Sequence, residues 1–217
     1  KQSYGTIRPF VEGYAVIRKQ AMSGFHLGKR NLNYTFIDTL GQIIGQEDYR
    51  QLKPFSEGRA AFRNKEGKWG YLNYKGEAVV NPMYFRAEAF KNNRAIVWQS
   101  YNKTGVIDRS AKVIIPIKYN KIIDIQENLA LVRQNSWTYF FVRENTKRNS
   151  PENYQGAFSY NHGLAPVKQN QKWGIVNNKG LTTVIPKYGQ IQAYENGIAQ
   201  VEVSRLVGVV DIKGKVI

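Results

Sequence analysis

Six tyrosines, Tyr4, Tyr49, Tyr84, Tyr119, Tyr154 and Tyr188, each stand eleven residues before an alanine: Ala15, Ala60, Ala95, Ala130, Ala165 and Ala199. The alanines are 45, 35, 35, 35 and 34 residues apart, so the 217-residue chain is six copies of one unit of about 35 residues. Five residues before each alanine stands a bulky apolar residue: Phe10, Phe55, Phe90, Ile125, Tyr160 or Tyr194. The copies fall near residues 4–48, 49–83, 84–118, 119–153, 154–187 and 188–217 of a single array. Units this short bury their apolar faces only by packing on their neighbours.

The punctuation inside the repeat is that of β-structure. Two residues before each alanine only glycine or asparagine occurs, at Gly13, Gly58, Asn93, Asn128, Gly163 and Gly197. Those two residues tolerate positive φ, so the position marks a tight turn between strands. The residue before it is Glu12, Glu57, Asn92, Glu127, His162 or Asn196, polar as a turn requires. A second turn recurs as Asp38-Thr39-Leu40-Gly41, Asn73-Tyr74-Lys75-Gly76, Asn177-Asn178-Lys179-Gly180 and Asp211-Ile212-Lys213-Gly214. Asp or Asn first and Gly fourth is type I turn chemistry. The recurrence of Glu12, Glu57 and Glu127 at one turn, and of Asp38, Asp108 and Asp211 at the other, assigns these carboxylates to their own turns. An apolar strand follows the second turn and reaches a proline at Pro82, Pro116 or Pro186, where it ends or sits on an edge. No stretch carries helical periodicity of useful length, so the chain reads as all-β with about four short strands per repeat.

The segments Lys68-Trp69-Gly70-Tyr71-Leu72-Asn73 and Lys172-Trp173-Gly174-Ile175-Val176-Asn177 stand out, with weaker copies at Thr104-Gly105-Val106 and Val207-Gly208-Val209. Tyr34-Thr35-Phe36 and Tyr139-Phe140-Phe141 occupy the same place without the glycine. This grammar resembles the WG (or KWG) repeat family of bacteria, and the resemblance covers essentially the whole chain. It implies a repeat scaffold of often exported bacterial proteins and supplies no catalytic residue. Such units stack either as blades of a β-propeller-like ring or as an open β-solenoid. The ring is favoured, because the strand after Tyr4 could complete the last blade and remove both exposed edges.

Charge is the remaining signal. The chain carries 32 Lys and Arg against 16 Asp and Glu, a formal net charge of +16. Such a surface attracts polyanions. There is no cysteine, so disulfides and thiolate metal sites are excluded. The two histidines, His26 and His162, have no ligand spacing around them. No metal or other cofactor is expected. Neither a signal-peptide pattern nor an apolar run near the ~18 residues of a membrane helix is present. An enzyme would need paired carboxylates outside the repeat, of which Glu144 and Glu152 are the candidates, and nothing calls for them.

Basic and aromatic residues gather instead where the repeat is degraded. The fourth copy carries Arg133, Trp137, Tyr139, Arg143, Lys147 and Arg148; Trp98 and Tyr101 hold the matching loop one copy earlier. The extra residues of the first copy include His26, Lys29 and Arg30. Insertions of a repeat scaffold lie on its surface, often on the binding face. The expectation is a non-catalytic binding or scaffold module of an exported or envelope protein, with a cytoplasmic setting left open. Its partner is another protein or an anionic envelope polymer such as a cell-wall or surface glycan. Nucleic acid, stacked on the aromatics and held by the cations, is the alternative.

Overall fold

A computed structural model describes residues 4–19, 34–126, 128–145, 153–211 and 213–217. The described residues are all-β, in small antiparallel sheets whose strands follow one another in chain order. The chain divides into two compact units, residues 1–113 and 114–217. The first unit holds one sheet of β1 (Tyr4–Ile7), β2 (Tyr14–Lys19), β3 (Tyr34–Asp38) and β4 (Ile43–Tyr49). A second sheet follows of β5 (Gln51–Leu52), β6 (Ala60–Arg63), β7 (Trp69–Leu72) and β8 (Ala78–Tyr84). The strands β9 (Arg86–Ala87), β10 (Arg94–Ser100) and β11 (Lys103–Asp108) begin a third. β12 (Val113–Tyr119) then leads into the second unit. There β13 (Lys121–Gln126), β14 (Leu129–Arg133) and β15 (Tyr139–Arg143) form one sheet. β16 (Gly156–Ala157), β17 (Leu164–Gln169), β18 (Lys172–Asn177) and β19 (Thr182–Tyr188) form the next. The last is β20 (Gln190–Ile191), β21 (Ile198–Val203) and β22 (Leu206–Asp211). The up-and-down order of each sheet is that of a propeller blade, as the repeat predicted.

One sequence expectation is corrected, and one choice between two readings is decided. The strand after Tyr4 pairs with β2, Thr6 opposite Arg18 and Ile7 opposite Ile17, which puts it in the first repeat and not in the last. It is simply the short opening strand that β5, β9, β16 and β20 provide elsewhere. Of the two readings of the proline, the edge position is the one found: β8, β12 and β19 run on through Pro82, Pro116 and Pro186 to the repeat tyrosine as outer strands. β8 and β19 are the outer strands of their sheets, where a missing N–H costs nothing.

That outer strand explains the glycine after tryptophan. The register between β7 and β8 slips between Trp69 and Tyr71, a bulge that drives the β8 backbone inward. A Cβ on Gly70 would lie 2.4 Å from the Val80 carbonyl oxygen, and one on Gly174 2.5 Å from that of Val184. Neighbouring repeats are joined by rings. Phe55 packs on Phe36 with ring centres 4.5 Å apart, Phe90 on Tyr71 at 4.8 Å and Tyr160 on Phe141 at 4.5 Å. In each pair the bulky residue before the turn enters the third strand of the preceding repeat, worth about 0.5–1.5 kcal/mol beyond the area it buries. All six repeat alanines are buried.

The turns supply a second link. Both central residues have positive φ in described copies: Glu12 (51°) and Gly13 (84°), Glu57 (55°) and Gly58 (73°), Asn92 (52°) and Asn93 (60°). These are type I′ hairpins, and glutamate in the left-handed region costs about 1 kcal/mol or more. The carboxylates do not close their own turns, contrary to the sequence reading. Glu12 accepts the N–H groups of Glu57 and Gly58 at 2.7 and 3.0 Å, and Glu57 accepts those of Asn92 and Asn93 at 2.6 and 2.7 Å. A side chain projecting from an I′ turn overhangs its neighbour, whose paired N–H groups point outward. Glu127 lies outside the described residues. Asp38, Asp108 and Asp211 do serve their own turns, each accepting two local backbone N–H groups.

Two outcomes follow from these contacts. Gly70→Ala should lower stability by about 1–3 kcal/mol in chemical unfolding. Gly208→Ala, whose Cβ would meet nothing closer than Val216 Cγ1 at 3.8 Å, should stay within about 0.5 kcal/mol of the parent. Equal stability of all three proteins would remove the close backbone approach from the account. Burial pushes the Glu12 carboxyl up, but hydrogen bonds from Tyr74, Gly58 and Glu57 and the charge of Arg109 together hold it below its ordinary value of 4.5. Its contribution is therefore complete above that unfolded value and disappears as pH falls through the lower folded one. Urea midpoints of the parent and Glu12→Gln should differ at neutral pH and converge in acid; a constant gap would contradict the ladder.

Candidate functional site

The strand register places cations beside the tryptophan position repeat after repeat. Directly opposite one another lie Arg18 and Tyr34, Arg63 and Trp69, Arg133 and Tyr139, and Lys168 and Trp173. On its other side the aromatic residue faces the repeat tyrosine: Tyr34 faces Tyr49, Trp69 faces Tyr84, Tyr139 faces Tyr154 and Trp173 faces Tyr188. Directly opposed residues share one face of a sheet, so each row presents cation, aromatic and tyrosine together. The third repeat rearranges the row, with Arg86 opposite Trp98 and Trp98 opposite Thr104. The sixth loses it, with Glu202 opposite Val207.

In the first unit these rows border a cleft of about 490 Å³ lined by Arg8, Lys53, Arg63 and Arg86, with Tyr34, Trp69 and Phe85 among them. Its remaining lining is Gln51, Leu52 and Ala87, so among the described residues no carboxylate faces into it. Leu52 and Ala87 give a buried apolar base. The cations lie on the rings: Arg8 is 5.8 Å from the Tyr34 ring centre, Lys53 5.6 Å from that of Trp69 and Arg86 4.8 Å from that of Trp98. Such contacts hold a cation in place and leave its outer donors free. Arg8 Nη1 donates to the Leu52 carbonyl at 3.3 Å, and Arg63 Nε to that of Gly67 at 3.0 Å. Arg86 lies 3.5 Å from Glu88. Burial holds the Lys53 ammonium below its ordinary range; Glu88 opposes the shift and the Arg86 charge adds to it.

The fifth repeat shows the same position filled. Phe158 stands where the second repeat has Lys53, and it stacks on Trp173 with centres 5.2 Å apart and planes 25° from parallel.

The residues singled out from sequence divide between the units. In the first, Trp98 is half-buried in β10, and Tyr101 is exposed in the next turn with its ring 4.6 Å from that of Phe85. In the second, Arg133 stands at the end of β14 opposite Tyr139, and Trp137 projects from the following loop, 78% exposed. Arg143 stands at the far end of the same hairpin, opposite Leu129, and donates to the Asn178 carbonyl of the next repeat at 2.6 Å. Four residues of extended strand, about 13 Å, separate the two ends, so the basic cluster of the fourth copy is split. Lys29, Arg30, Lys147 and Arg148, like His26 and Glu152, lie outside the described residues. His162 has a turn conformation, with φ of 52°.

Sequence reasoning missed Arg8, Lys53, Arg63 and Arg86. One signal was available for part of the set: three residues after the repeat alanine come Arg18, Arg63, Arg133 and Lys168. Arg8, Lys53 and Arg86 come from the irregular stretches around the short opening strands and needed the fold to be placed.

Comparison with known proteins gives one family match. The pattern described as WG containing repeat matches residues 34–69, 69–99, 105–136, 151–173 and 173–204, well over half of the chain. No curated protein matches the chain. Among solved structures it is similar to the computationally designed Ika8 protein, at 13% identity and a TM-score of 0.45 over 99% of this chain and 73% of that one. It is also similar to BamB from Moraxella catarrhalis, at 11% identity and 0.44 over 96% and 73%, and to the WD40 β-propeller domain of Doa1, at 10% and 0.36 over 100% and 81%. No helix among the described residues is long and apolar enough to cross a membrane.

Of the four tryptophans, Trp137 is the one that projects into solvent. Trp137→Phe should therefore remove most of the iodide-quenchable emission while leaving the remaining fluorescence unchanged. Undiminished quenching in the variant would mean that another tryptophan is the exposed one.

Proposed function

The chain belongs to the WG-containing repeat family, and on that premise we propose that it is a non-catalytic binding module that docks an anionic polymer through the basic cleft of its first unit. One observation carries this reading: four cations from three successive sheets line one cleft, and among the described residues no carboxylate faces into it. Cations gathered over an apolar base attract anions more strongly than the same charges spread through water, because the local dielectric is lower. The envelope setting that the family resemblance implies offers anionic polymers as ligands.

An acidic protein face would use the same charges and is the reading that a failed polymer screen would leave standing. Nucleic acid finds less support in this cleft. Base binding uses open aromatic faces, whereas Arg8 and Lys53 already lie against Tyr34 and Trp69.

The test is direct binding of the purified chain to bacterial cell-wall polymer, heparin and mixed DNA, at low salt and at about 150 mM, where the Debye length is about 8 Å. Wall polymer should stay bound at the higher salt, and the double variant Lys53→Gln/Arg86→Gln should weaken it at least about tenfold, a loss of about 1.4 kcal/mol. Binding that fades equally for all three polymers with salt, and ignores the double variant, would reduce the charge to generic attraction.

A further inference from the structure

The composition of the cleft also bears on the chemistry of its ligand, given the binding role proposed above. We infer that the cleft of the first unit recognises two closely spaced phosphate groups, in preference to carboxylates or a stacked base. The first argument is directional. The cations converge from three sheets: Arg8 after β1, Lys53 after β5 and Arg63 at the end of β6, and Arg86 in β9. A carboxylate is planar and offers two oxygens, so it meets one or two guanidinium forks edge-on. A tetrahedral phosphate offers oxygens in several directions and accepts from donors on different sheets at once. Three of the four cations are arginines, whose rigid forks suit phosphate oxygens.

The second argument is charge. The four cations, less the Glu88 carboxylate beside Arg86, leave a surplus of about three positive charges around the cleft. One phosphate monoester carries about −1.5 to −2 near neutral pH, so a single group leaves the cleft under-neutralised and a neighbouring pair balances it. The available donors agree with this count. Arg8 and Arg63 each donate one hydrogen bond to a backbone carbonyl, out of the five N–H groups that a guanidinium carries.

The third argument is the rings. Arg8 covers Tyr34, Lys53 covers Trp69, and Phe85 lies against Tyr101. Tyr34 and Trp69 thus serve to hold cations, and the volume of about 490 Å³ leaves room for the sugar or chain that carries the phosphates. The shared chemistry is the pair of phosphates; a linear polyphosphate and a bisphosphorylated sugar are its two sources.

Calorimetry on the full chain with sodium tripolyphosphate, inositol 4,5-bisphosphate (phosphates on adjacent ring carbons) and citrate tests the inference at about 150 mM salt. Tripolyphosphate should bind at least about tenfold more tightly than citrate, a tricarboxylate. Arg8→Gln and Arg63→Gln should each weaken it by a similar factor, with circular dichroism and melting temperature unchanged. Lys213→Gln, which removes one exposed charge from a turn of the second unit, should bind as the parent does. The inositol bisphosphate distinguishes the sources: binding equal to tripolyphosphate assigns the pair to a phosphorylated sugar, and weaker binding assigns it to a continuous phosphate chain. Equal affinity for citrate and tripolyphosphate overturns the inference, as does an equal effect of all three variants. Wall polymer bound through the cleft with tripolyphosphate unable to compete would overturn it while leaving the proposed function intact.

Discussion

A carboxylate that leaves its own hairpin to close the next one is the contact on which the first unit depends. Glu12 accepts the outward N–H groups of the Glu57–Gly58 turn, and Glu57 does the same for Asn92–Asn93. Each glutamate sits in a left-handed conformation that its side chain disfavours, and the bonds to the following repeat offset that strain. Tyr74 adds its hydroxyl to Glu12 at 2.8 Å and stacks on Tyr14 with ring centres 5.2 Å apart. Successive sheets of this unit are thus fixed at their turns by charge-assisted bonds and at their centres by Phe55 on Phe36 and Phe90 on Tyr71.

Fixed sheets make the cleft possible. Its cations come from three repeats, and they can act together only if the repeats hold one spacing. The repeat itself supplies a cation beside each aromatic residue; what varies is what lies over the ring. Phe158 stacks on Trp173, whereas Lys53 lies over Trp69 and adds a charge. A single substitution at one repeat position thereby separates an apolar row from a charged one. In a repeat protein, function is written in such departures from the shared pattern.

Much of the fold could be read from residue spacing. Glycine or asparagine two residues before each alanine announced the positive φ of the turns, and Asp38 and Asp108 announced turns that they cap themselves. The same logic failed for Glu12 and Glu57, because a residue recurring once per repeat looks identical whether it bonds its own turn or the next. The cause of the WG glycine, the bulged backbone at Val80 and Pro82, lies on an outer strand, and the sequence left open whether proline ended that strand or placed it on an edge. For the site, the degraded fourth copy drew attention to Arg133 and Arg143, which strand geometry puts at opposite ends of one hairpin. The cleft residues were hidden because Arg8, Lys53 and Arg86 are distant in sequence and meet only through the register of separate sheets.

The central claim is that turn carboxylates tie each repeat of the first unit to the next, and hydrogen exchange at single amides tests it most directly. The N–H groups of Asn92 and Asn93 lie in an exposed hairpin, yet they should exchange slowly at neutral pH, as should that of the buried Gly58. In Glu57→Ala, Asn92 and Asn93 should lose that protection while Gly58, held by Glu12, keeps it. Exchange of all three at the rate of free turns in the parent protein, or loss of protection at Gly58 together with the other two, would contradict the ladder and the fixed cleft that depends on it.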